Sequence, residues 1–70
     1  MARYFFKVSD HEAEFVDENG EDLPTPEAAK LRAETIAREL AGDGRHYRGY
    51  VVIVTDWQGA EIARVPVPDA

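Results

Sequence analysis

The sequence predicts an α+β domain of order β-β-α-β-β, with a mostly antiparallel four-stranded sheet and one helix packed on one face. Three observations carry that reading. "RYFFKV" (3–8) and "YVVIVT" (50–55) are strongly β-favouring. Thr25-Pro26 opens an alanine-rich amphipathic run that Gly42 closes. Turn residues separate the remaining apolar runs, so hairpins, and hence antiparallel neighbours, are the simplest closure. At 70 residues the chain makes one domain, residues 1–70. A chain of this size buries only about 60% of the surface its unfolded form exposes. Burial and chain entropy then nearly cancel, and a staple or a partner becomes valuable.

In the first strand, alternation places Tyr4, Phe6 and Val8 on one face and Arg3, Phe5 and Lys7 on the other. "SDHE" connects it to a shorter second strand, "AEFVD" (13–17). Asn19-Gly20 follows as a turn, because both residues tolerate positive φ. Pro24 blocks further strand pairing. Thr25 is a good N-cap, Pro26 a good first helical residue, and Glu27 favours the first turn. The helix is expected to run to about Ala41, with Gly42 at C′. Ala29, Ala33, Ile36, Ala37 and Leu40 form its core face. Glu34 and Arg38 have the spacing of an i,i+4 ion pair, and Leu31 points away from the core.

"GDGRHYRG" (42–49) reads as a loop. The run after it is apolar at nearly every position, which suggests a strand buried on both faces. "DWQG" turns the chain into a fourth strand, "AEIARVPV" (60–67); Pro66 cannot donate a ladder hydrogen bond, so this strand is expected at an edge or to end there. The first and third strands carry the most apolar side chains and are expected in the middle. "FVDENGEDL" (15–23) and "VTDWQGAEI" (54–62) echo one another; we read this as the same Asp-x-x-Gly turn chemistry used twice.

"MARYFF" (1–6), "DENGEDLP" (17–24), "EAAKLRAETIAREL" (27–40) and "VTDWQGAEIARVPV" (54–67) together resemble an uncharacterised family of small bacterial proteins. Its members open with M-x-R-Y-F-F and end in a V-T-D-x-x-G hairpin. The family is one of unknown function, so the resemblance implies a fold and no activity. Trp57 departs from the small or charged residue usual after that aspartate.

Composition narrows the function classes. Net charge is −6, which argues against non-specific nucleic-acid or anionic-membrane binding. Cysteine is absent, so no disulfide or thiolate metal site is available. The opening residues read as neither signal nor transit peptide, and a cytoplasmic location is expected. Acidic residues from Asp10 to Asp22 crowd a segment without Lys or Arg, whereas Arg45, His46 and Arg48 cluster later. An EF-hand alignment on Gly20 places Phe15 and Pro26 at ligand positions, which removes the calcium reading. His11 and His46 lie outside any zinc or di-iron spacing. No serine stands in a nucleophile elbow, and "GDG" follows a helix where a phosphate loop precedes one. The expectation is therefore a non-enzyme without cofactor or metal.

A sheet covered by a helix on one face leaves the other open, and an open apolar face marks an interaction surface. The expected function is a small protein-interaction domain that binds itself or another protein, with a homodimer through the open sheet face. The contact candidates are Phe5, Leu31, Tyr50 and Trp57. Which of Tyr50/Val52/Val54 and Val51/Ile53 face outward stays open at this stage. Trp57, placed at a turn, either folds back over the sheet edge or presents its ring to another molecule. The alternative is an anion- or peptide-binding module using Arg45, His46 and Arg48 of the 42–49 loop. A third reading, an acidic decoy for a basic surface, rests on charge alone.

Overall fold

A computed structural model describes residues 1–10, 12–17, 19–42, 47 and 49–68. The elements are β1 (Ala2–Ser9), β2 (Glu14–Val16), β3 (Glu21–Leu23), α1 (Pro26–Ala41), β4 (Val51–Thr55) and β5 (Glu61–Pro66). The class is α+β, with a five-stranded sheet in which every pairing is antiparallel. The order is β2-β1-β4-β5, so the two most apolar strands are central, as expected. β3 also pairs with β1, so β2 and β3 lie end to end along one margin of it.

This corrects the expected four-stranded count and the expected turn at 17–20. Lys7 faces Val16, yet Tyr4 faces Glu21. Three steps along β1 are thus matched by five on the other side, and two residues are extra. The chain bulges and continues in the same direction. Asp17 N–H still donates to Phe6 O at 3.0 Å, and Gly20 takes φ +74°. Such a bulge re-aims a strand without ending it.

α1 has the bounds its sequence signals specify. Thr25 is extended (φ −144°, ψ 159°) and its Oγ1 accepts from Ala28 N–H at 3.0 Å. Pro26 takes a position whose N–H would lack an intrahelical partner in any case. Gly42 differs from expectation: it is right-handed (φ −69°, ψ −16°), and its N–H donates to Arg38 O at 3.1 Å. The helix therefore ends without the left-handed cap.

Tyr4 and Phe6 of β1, Val52 and Val54 of β4, and Val67 form the core with Ala29, Ala33 and Ala37. Ile36, Leu40, Val8, Ile62 and Val65 flank it. The even-numbered β4 residues therefore face the helix. The alanines let α1 lie close to the sheet, and burying the two valines contributes about 1.5–3 kcal/mol each. Ile53 alternates to the reverse face, where it is 6% exposed. It stands directly between Lys7 and Arg64, whose aliphatic stems are suited to covering it.

Candidate functional site

The β1–β2 hairpin sets the geometry of the sheet margin. Asp10 Oδ1 accepts from Glu12 N–H at 2.8 Å and from Ala13 N–H at 2.7 Å. Asp10 N–H donates to Ala13 O at 3.0 Å. Together with the bond from Asp17 to Phe6, this fixes which way the β2 backbone points. Residues 13, 15 and 17 turn their amide groups toward β1, and Glu14 and Val16 turn theirs away.

Phe15 lies directly opposite Val8, on the helix side of the sheet. α1 packs over β4 and β5 and reaches β3. Phe15 is left 57% exposed, as is Val16 on the other face. The Phe15 ring stacks on Tyr50 (centroids 6.3 Å, 26° between planes), and Tyr50 meets Tyr47 edge to face at 5.4 Å. Burial pushes the Tyr50 hydroxyl above the usual tyrosine range, and the charge of Asp10 adds to the effect. Tyr50, a sequence candidate, is thus half-buried on the helix side within an aromatic corner.

The reverse face differs from the apolar platform that alternation suggests. Arg3 pairs with Asp22 at 3.1 Å, Lys7 with Glu14 at 3.1 Å, and Arg64 with Glu61 at 2.8 Å. Hydrogen bonding to Asp22 raises the Arg3 pKa, and hydrogen bonding from Arg64 lowers that of Glu61. Arg32 of α1 takes Glu21 at 3.2 Å. The acidic segment thus finds cations on β1 and α1. The expected Glu34–Arg38 pair is not among the ion pairs of the described residues; two solvated side chains gain little by meeting.

The other candidates are scattered. Phe5 is half-buried, with its ring over Gly20: a Cβ there would lie 2.9 Å from Phe5 Cε2. Leu31 is 64% exposed on the outer face of α1. Trp57 is 61% exposed in the β4–β5 turn and does not close over the sheet. Arg45, His46 and Arg48, the anion-binding alternative, lie outside the described residues. Phe15 and Val16 were not singled out from sequence. The signal for them was the shortness of their strand, which marks an edge.

Among the described residues, no group of three or more potential metal ligands converges. A shallow cleft of about 290 Å³ is lined by Pro26, Glu27, Lys30 and Ile62. No helix among the described residues is long and apolar enough to cross a membrane.

One helix over an antiparallel sheet defines a small α+β domain. The chain belongs to the domain-of-unknown-function family DUF6894, whose profile matches residues 3–68. No curated protein and no solved structure matches it.

Proposed function

We propose that this protein is a non-catalytic interaction domain that associates with a second copy of itself. The carrying observation is the pair of large apolar side chains, Phe15 and Val16, each 57% exposed at adjacent positions of β2. Apolar groups exposed on both faces of one edge strand favour a partner, and a short chain gains most from one. The ion pairs of the reverse face shift the contact from the middle of that face, where the sequence suggested it, to its β2 margin. Phe15, Val16 and Tyr50 replace Phe5 as the contact residues; Leu31 on α1 and Trp57 in the β4–β5 turn stand outside this contact.

Sedimentation measurements up to about 1 mM test the reading, since a small contact populates only at high concentration. A sedimentation coefficient that rises with concentration is the expected result. A monomer throughout that range overturns it.

A further inference from the structure

The sheet margin also suggests how two copies would meet. We infer that β2 pairs with β2 of a second copy, antiparallel about a two-fold axis at Phe15, to make one continuous sheet across the dimer. This rests on the self-association proposed above and specifies its geometry.

Three features support it. β2 ends the strand order, and its three residues are all exposed. The N–H and C=O groups of Glu14 and Val16 point outward, as fixed at both ends by the Asp10–Ala13 and Asp17–Phe6 bonds. An antiparallel copy that sets Glu14 opposite Val16 uses all of these groups, and an isologous contact of this kind closes at two subunits. Neighbouring registers fit less well. A shift one way opposes two Glu14 carboxylates, and a shift the other way sets Phe15 against Asp17.

In the favoured register the two Phe15 rings are directly opposed on the helix side. Each already stacks on its own Tyr50, so the rings would form one row across the axis. On the reverse face each Glu14, already paired with Lys7, meets Val16. Both copies carry −6, so screening should favour the dimer.

The test compares the wild type with Val16→Pro. Proline removes an outward N–H and leaves the β1 bonds of Phe15 and Asp17 in place. The expected result is loss of the dimer with an unchanged circular dichroism spectrum, while Leu31→Ser and Trp57→Ser keep it. Raising the salt from about 50 mM to 500 mM should strengthen wild-type association. A dimer that survives Val16→Pro overturns edge pairing but leaves self-association standing. A monomeric wild type overturns both. Amide exchange on the wild type keeps the proposal decidable if the proline variant fails to fold. The Glu14 and Val16 amides should slow with increasing concentration, and unchanged rates in a sample shown to be dimeric refute the strand pairing.

Discussion

Asp17 to Gly20 and Asp56 to Gly59 use one local device for two purposes. In both, an aspartate Oδ1 accepts the N–H two residues on, from Asn19 at 3.1 Å and from Gln58 at 2.9 Å. In both, a glycine three residues on is left-handed, with φ +74° at Gly20 and +86° at Gly59. Yet Asp56 begins a reversal and Asp17 begins a bulge. At the reversal, Gly59 N–H donates to Asp56 O, Asp56 N–H donates to Ala60 O, and Asp56 Oδ1 also accepts from Ala60 N–H. At the bulge, Asp17 N–H is held by Phe6 O of a neighbouring strand that runs on to Ala2. The local sequence sets the kink; the availability of a partner strand decides whether the chain turns back.

The largest expected difference lies at the glycines. At Gly20 a Cβ would sit 2.8 Å from Arg3 Cγ and 2.9 Å from the Tyr4 carbonyl oxygen. Gly20→Ala therefore combines backbone strain with overpacking and should cost about 3 kcal/mol. At Gly59 nothing lies within 4 Å of the same atom. Gly59→Ala should cost only about 1.5 kcal/mol, from the left-handed backbone alone. Denaturant midpoints of the two variants measure the gap, and equal losses would mean that the bulge is no tighter than the turn. Asparagine, which tolerates positive φ, should be accepted at 59 and rejected at 20.

The aspartates should differ less. Asp56→Ala removes two side-chain hydrogen bonds and is expected to cost about 1 kcal/mol by denaturation, and Asp17→Ala, with one, about 0.5 kcal/mol. The smallest effect is a pH dependence at the margin beside the bulge. The Tyr50 pKa is raised in the folded state, so its contribution to stability is complete below the unfolded tyrosine value of about 10. It is lost as pH rises through the higher folded value. In an absorbance titration, Tyr50→Phe should remove a late-ionising phase.

Much of the fold was legible. Thr25, Pro26 and the alanine spacing specify α1, and the apolar run of β4 specifies its central place. The bulge was not legible, because Asp-x-x-Gly encodes a kink without saying what lies beside it. β3 was hidden for the same reason: "EDL" becomes a strand only because β1 is long enough to pair with it. Alternation gave the faces but not their covering. Ile53 was correctly assigned to a strand buried on both sides, yet the ion pairs around it depend on cross-strand neighbours distant in sequence. The interaction candidates fared accordingly. Tyr50 lies in the aromatic corner, while Phe15 and Val16 owe their exposure to an edge position that only the shortness of their strand hints at.

Ala29, Ala33 and Ala37, almost wholly sealed from solvent, reverse the usual arithmetic of a hydrophobic interior. Most interiors suffer chiefly when volume is taken away. Here the contacting side chains are already single methyl groups, and the helix behaves as a fitted shim. A wider residue along that stripe would lift the whole rod from its seat, so growth, not shrinkage, is the substitution these three positions resist most.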